Sequence, residues 1–369
     1  MTWQILDTNY EQAKIAIVGV GGGGGNTVQH IINSGVEGVE FICANTDAQA
    51  LSMVQNAKTL KLGKDITKGL GAGNNPESGR IATEVCREEI SDLLKNTQML
   101  FVTAGMGGGT GTGGAPVIAK IAKELGILVV GVVTTPFKTE GEKRHNQAKL
   151  GITKLMEHVD SLIEIDNEKI FEVFPPDTPI EKAFTAVNDV LVNAVRGVAN
   201  IVLKPSKINV DFADVRAVMS EKGTAMMGTG IAAGKNRAEV AATMAVKSEL
   251  LDDINLKNAR GVLVNITGQS PTLGDQTEVT NIVEEIVSED ALVIYGLVFD
   301  DTYKDDLKVT IVATGVDQRN PTLAIDNEPT MTLNPVGLNR NQKNQEVGTS
   351  SAEEIDFLDV PTFMRKQVD

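Results

Sequence analysis

The chain has 369 residues, 41% hydrophobic and 22% charged, an ordinary globular balance that points to about two domains with extensions. Its formal net charge of −15 argues against nucleic acid as a partner, because nucleic-acid binders present a basic face. Cys43 and Cys86 read as buried reduced thiols, and the scattered His30, His145 and His158 show no metal-ligand spacing, so no permanent metal site is expected.

The first residues, MTWQILDTNYEQAK, lack the basic and apolar regions of a signal peptide. No window reads as the ~18 apolar residues of a spanning helix. The expectation is a soluble, cytoplasmic protein with no direct membrane insertion. After an N-terminal extension (1–13), residues 14–20 (KIAIVGV) form a short apolar run ending in glycine, a buried parallel strand. NTVQHIINSG follows as a helix, with Val28, Ile31 and Ile32 at helical spacing and Gly35 as its stop. VEFICANTD is a strand, ESGRIATEVCREEISDLLKN a helix and QMLFVTAG a strand. APVIAKIAKELG is a helix with Pro116 near its first turn, and ILVVGVVTTPF is another buried strand. This alternation argues an α/β domain with a parallel sheet, Rossmann-like, over 14–177.

Thr178-Pro179-Ile180-Glu181 signals a helix start, with Thr as cap, Pro at the first position and Glu closing a capping box. The helix (178–204) carries Ile180, Phe184, Val187, Leu191, Val195 and Val198 on one face and stops before Pro205. It is a candidate spine between two halves. Four strands and two helices then define a smaller α+β domain over 205–316. Residues 317–353 turn to Asn, Gln, Thr, Pro and Glu, too polar to offset their ordering entropy, and read as a disordered linker. At 354–369 apolar residues return in DFLDVPTFMRKQ, which reads as a docking peptide.

Two glycine runs carry the chemistry. Residues 19–24 fit G-x-G-x-x-G between a strand and a helix, and Asp47 lies where a dinucleotide site keeps its ribose acid. Alone, this pattern fits a nicotinamide-dependent dehydrogenase. Its physics is more general: glycine lets backbone N–H groups approach phosphate oxygens at a helix N-terminus. The second run, GMGGGTGTGG (105–114), again lies between a strand and a helix, and Thr110 and Thr112 add hydroxyl donors. Two converging loops suit the longer tail of a nucleoside triphosphate, yet no G-x-x-x-x-G-K-[ST] occurs.

GGGTGTG resembles the signature of the tubulin/FtsZ superfamily. With GVGGGGGN, NTDAQAL, TKGLGAGNNPE, PFKTEGEKR and NVDFADVRAVMS in order over 14–316, the chain resembles its bacterial cell-division GTPases. The resemblance implies GTP/GDP binding with Mg²⁺. Phosphate would be held by Gly22, Gly23, Gly24, Gly25 and Asn26, and by Gly107, Gly108, Gly109, Thr110, Gly111 and Thr112. Ala72, Gly73 and Asn74 belong to the loop that senses the terminal phosphate. Glu140 would take the ribose hydroxyls, with Arg144 beside the nucleotide, though both also read as a solvated charged loop. Asn167, Phe184, Asn188 and Asp189 match the base pocket, while Phe184 equally suits a helix core.

No base or arginine finger stands beside these loops. Asn209, Asp211 and Asp214 follow the long helix and read, bottom-up, equally as a helix N-cap. The resemblance implies that this loop completes the next subunit's site in trans. Head-to-tail filaments and a cytoplasmic mid-cell ring follow from it. The tail would dock membrane-tethering adaptors and regulators such as FtsA, ZipA and MinC through Phe357, Leu358, Val360, Pro361 and Phe363. A non-catalytic filament protein that binds nucleotide only structurally is the third reading.

Overall fold

The computed structural model describes residues 13–169, 175, 177–203, 210–248 and 256–316, all within the unit formed by residues 1–321. Asn209, the linker and the tail residues Phe357, Leu358, Val360, Pro361 and Phe363 lie outside the described residues.

The N-terminal half supplies strands β1 (Ile15–Val20), β2 (Val39–Asn45), β3 (Lys58–Lys61), β4 (Met99–Gly105), β5 (Leu128–Thr135) and β6 (Ser161–Asp166). They are parallel and ordered β3-β2-β1-β4-β5-β6. β1 is buried along its whole length, as expected of a strand covered on both faces. Alternation sends Ile15 and Ile17 to one layer and Ala16 and Val18 to the other. Against the first layer pack α1 (Gly21–Asn33) and a 24-residue helix, Ile180–Leu203. Against the second pack α4 (Pro76–Glu84), α5 (Arg87–Leu94), α6 (Thr110–Glu124) and α7 (Glu142–Met156); α2 (Ala48–Ser52) and α3 (Lys64–Thr67) are short connecting turns. Each fully buried Val, Leu or Ile contributes about 1.5–3 kcal/mol, so the two layers dominate the fold's stability.

The long helix, α8, buries Val187, Leu191, Val195 and Val198. Its segment Phe184–Leu203 is long and apolar enough to cross a membrane by length and composition, contrary to the sequence expectation. The buried stripe identifies it as a core helix instead. Beyond it come α9 (Phe212–Met219), β7 (Gly223–Ala232), α10 (Arg237–Val246), β8 (Gly261–Gly268), α11 (Leu273–Ile286), β9 (Leu292–Phe299) and β10 (Leu307–Val316). β7 pairs parallel with β6 through Ser161–Gly223, Leu162–Thr224 and Ile163–Ala225, so one ten-stranded sheet runs through both halves.

Several local expectations change. α1 and α6 begin inside the glycine runs, at Gly21 and Thr110, because the runs pack on each other. Pro116 therefore lies well inside α6, where its missing N–H leaves the Thr112 carbonyl without an intrahelical donor. The helix expected over 77–96 is two, broken at Val85–Cys86, where the Cys86 N–H bonds the Thr83 carbonyl and its thiol faces Gly63 N and Lys61 O. β6 and α7 have no counterpart in the sequence reading.

Candidate functional site

In a parallel sheet of this order, the direction in which successive strands are added reverses between β1 and β4, and ligands bind beyond the carboxyl ends of the strands there. Both glycine runs leave the sheet at that point. Their glycines divide by what a side chain would meet. A methyl group on Gly24 would overlap the Thr103 carbonyl oxygen, and one on Gly21 would stand 2.9 Å from the Gly111 nitrogen. Gly23 faces the Gly105 backbone at 3.2 Å, Gly109 faces Ala72 and Asn75 at 2.9 Å, and Gly111 faces the Gly105 carbonyl oxygen at 2.7 Å. By contrast Gly22, Gly25, Gly73 and Gly108 face open space. With Asn26, Gly22 and Gly25 line a cavity of about 200 Å³ whose wall includes Cys43; burial pushes that thiol up to about 11 and keeps the wall neutral.

The two threonines expected as donors are engaged in the loop itself. Thr110 Oγ1 lies 2.6 Å from Thr46 Oγ1, and Thr112, buried, accepts from the Gly107 N–H at 2.8 Å. Asp47, the ribose acid of a dinucleotide reading, instead caps α2 by accepting from Gln49 and Ala50 N–H. Gly73 and Asn74 take left-handed backbone conformations, and Asn75 caps α4.

From these runs a closed circuit of contacts surrounds the site. A methyl on Gly107 would stand 2.9 Å from the Arg144 carbonyl oxygen. Arg144 Nη1 pairs with Glu140 Oε2, and Glu140 Oε1 accepts from the Phe137 N–H at 3.0 Å. The Phe137 ring meets Phe184 edge-on, with centroids 5.5 Å apart. Phe184 is 49% exposed, so it belongs to the rim and not to the helix core. One turn further along α8, Asn188 Oδ1 lies 3.2 Å from Thr27 Oγ1, which is 3.1 Å from the Gly23 carbonyl oxygen. Asp189 Oδ1 lies 2.7 Å from His30 Nε2. Thr27, which the sequence reading assigns no role, and His30, read there only as a scattered histidine, thus tie α1 to α8.

These residues suit a purine nucleotide. The open faces at Gly22, Gly25 and Gly108 leave room that added Cβ atoms would occupy, as a loop suited to a phosphate requires. Asn167 is buried, and its Oδ1 has no hydrogen-bond partner among the described residues, an acceptor suited to a base N–H.

Asp211 and Asp214 are elsewhere. Asp211 caps α9, accepting from Asp214 N at 2.8 Å, and Asp214 Oδ2 accepts in return from Asp211 N at 3.4 Å. The N-cap reading of this loop therefore holds for both aspartates. In the same helix Arg216 donates to the Gly126 carbonyl at 3.5 Å, just past the end of α6, and the Met219 carbonyl accepts from Ser161 at the start of β6. α9 thus crosses the edge of the sheet opposite the glycine runs. α6 alone separates them by about 22 Å, from its 15 residues at 1.5 Å each.

Two family models match the chain: the Tubulin/FtsZ family GTPase domain over residues 14–175 and the FtsZ family C-terminal domain over 223–317. The cell division protein FtsZ of Pseudomonas aeruginosa is 48% identical over the whole of both chains, and that of Azotobacter vinelandii 47%. An FtsZ of M. jannaschii, solved as an empty dimer, matches with a TM-score of 0.78 at 42% identity, covering 83% of this chain and 89% of that one. The fold and the paired glycine runs are those of a tubulin-like GTPase. The chain belongs to the FtsZ family. It binds guanine nucleotide, hydrolyses GTP and serves cell division.

Proposed function

We propose that this GTPase acts as a head-to-tail polymer in which each nucleotide site is completed by the next subunit's Asp211 and Asp214. The observation that carries this reading is the separation of the two aspartates from the glycine runs by the length of α6. Within one subunit no described carboxylate of this loop reaches the phosphate cradle. A neighbour stacked end to end supplies them, and such a heterologous contact, repeated without closure, gives a filament. Leu70 and Met53, 86% and 75% exposed at the glycine end, add apolar surface for that contact.

In this reading the backbone N–H groups of Gly22 and Gly108 hold the phosphates, Gly107 braces the second loop through its N–H to Thr112, and the missing side chain of Gly25 keeps the space beside them open. Gly23, Gly24, Gly109, Gly111, Thr110 and Thr112 shape the loops, with Asn26, Ala72, Gly73 and Asn74 at the mouth. Glu140 and Arg144 flank the ribose, Phe184 stacks on the base, and Asn167, Asn188 and Asp189 read its edge. The helix cap uses Oδ1 of Asp211 and Oδ2 of Asp214. The other oxygen of each carboxylate lies outside that cap and would accept from the attacking water, with Asn209 in support. Mg²⁺ bound with GTP would neutralise phosphate charge. The tail residues Phe357, Leu358, Val360, Pro361 and Phe363 would dock adaptors and regulators such as FtsA, ZipA and MinC, holding the filament at a cytoplasmic mid-cell ring.

Phosphate release from GTP and from ATP across a protein dilution series tests the shared site. The expected result is release from GTP that collapses more steeply than linearly on dilution. Release proportional to protein concentration would mean a self-contained site.

A further inference from the structure

We infer that Thr27 and His30, on the phosphate-binding helix α1, are positioning residues that set guanine specificity by fixing the hydrogen-bonding face of Asn188 and Asp189 on α8. The inference rests on the assignment of Asn188 and Asp189 to the base pocket.

The argument begins with hydrogen bookkeeping. Thr27 Oγ1 touches both the Gly23 carbonyl oxygen, at 3.1 Å, and the Asn188 side-chain amide, at 3.2 Å. A hydroxyl has one hydrogen and two lone pairs. If that hydrogen goes to Asn188, two oxygens face each other at Gly23 with none between them. Both contacts become hydrogen bonds in one arrangement only. Thr27 donates to the Gly23 carbonyl and accepts from the Asn188 amide nitrogen, which a half-turn of the amide brings into place. Thr27 is 4% exposed, so water does not compete for these contacts. The Asn188 carbonyl oxygen is then turned outward.

His30 acts likewise on the neighbouring residue. Its Nε2 lies 2.7 Å from Asp189 Oδ1, and a carboxylate only accepts, so Nε2 carries the hydrogen. This ties down one oxygen of a side chain that is otherwise 60% exposed and leaves Oδ2 for a ligand. Thr27 and His30 are three residues apart on one face of α1, and Asn188 and Asp189 are consecutive on α8. The result is a row of acceptors, Asn188 carbonyl, Asp189 Oδ2 and the unpartnered Asn167 Oδ1. Guanine offers N1–H and a 2-amino group to such a row. Hypoxanthine lacks the amino group, and adenine presents an acceptor at N1.

The test is displacement of a fluorescent GTP analogue from the full-length protein by GTP, ITP and ATP, below the concentration of assembly. Thr27→Val and His30→Ala should each weaken GTP about ten-fold, the worth of one hydrogen bond involving a charged or buried group, weaken ITP less, since it keeps only the N1–H, and leave ATP nearly unchanged. Thr27→Ser and His30→Gln restore a hydroxyl or an N–H and should restore the GTP:ITP ratio, which a merely structural role would not require. Asn188→Ala and Asp189→Ala serve as controls. If they collapse the ratio while Thr27→Val and His30→Ala preserve it, the positioning role is overturned. If the controls also preserve it, the base-pocket assignment itself fails and this inference falls with it.

Discussion

A methyl group on Gly113 would overlap the carbonyl oxygen of Pro76 and stand 2.7 Å from the Arg80 amide nitrogen, so α4 and α6 meet backbone to backbone. Gly22, in the first glycine run, faces open space instead. Gly113→Ala should therefore overpack the helix pair by about 1–3 kcal/mol and lower Tm by several degrees. Gly22→Ala sits in a helical turn, where alanine is favoured by about 1 kcal/mol, so it should hold or raise Tm while weakening GTP binding. Thermal melts with nucleotide titration separate the two; a Gly113→Ala protein as stable as the parent would contradict the close approach.

The cap at α9 confuses any simple test of its aspartates, because removing an N-cap costs about 1 kcal/mol by itself. Asp211→Ser keeps a capping oxygen and removes the carboxylate. We expect unchanged Tm and lost GTP turnover. Gly108→Val should block the phosphate cradle of its own subunit and leave its aspartates intact. An equal mixture of the two inactive proteins should regain turnover through mixed contacts. A mixture no more active than its parts would overturn the shared site.

Asp275 offers a pH-dependent contribution remote from the site. Burial works against its charge, but hydrogen bonds from Arg237, at 2.7 and 3.2 Å, and from Thr272 outweigh it and hold the carboxyl below the usual aspartate value of 3.8. The folded state thus binds its proton more weakly than the unfolded chain. The stabilisation is complete above the ordinary value and is lost as pH falls through the lowered one. Asp275→Asn should be less stable than the parent at pH 7, with the gap narrowing below about pH 4 in denaturant melts.

Lys308 works in the opposite sense. Burial, with the Arg196 charge adding to it, pulls its ammonium down to about 8, and its Nζ donates to Asn193 Oδ1 at 2.9 Å. Between pH 8 and the ordinary 10.5 the unfolded chain holds a proton that the folded chain has released. Stability from this group therefore rises with pH across that window, and its full cost is felt below pH 8. Lys308→Met should raise Tm at pH 7 and flatten that rise; equal pH slopes for the two proteins would refute it.

The buried strands were legible because continuous apolar runs such as residues 127–137 have few other uses. The starts of α1 and α6 were not, whereas the start of α8 near Ile180 was. Glycine has poor helix propensity, and only the packing of Gly21 on Thr110 and Gly111, a tertiary fact, makes the runs helical. β6 escaped notice because SLIEID is short and carries acidic residues; burial, with Asp166 nearby, raises the Glu164 carboxyl, a cost that local patterning does not reveal. The glycine motifs marked in sequence the two turns that meet where they leave the sheet. The links of Thr27 and His30 to α8 could not be seen there, since their partners lie 161 and 159 residues away and no local pattern joins them.

One helix, α6, begins at the phosphate loop and ends beside Arg216 of the acidic loop's helix. A chain of such subunits has two unlike tips. In the polymer proposed above, one tip presents glycine loops awaiting carboxylates, and the other presents carboxylates awaiting a nucleotide. Subunits arriving at the two tips meet different chemistry, so growth and loss need not balance at either one, and the filament acquires a direction from the length of a single helix.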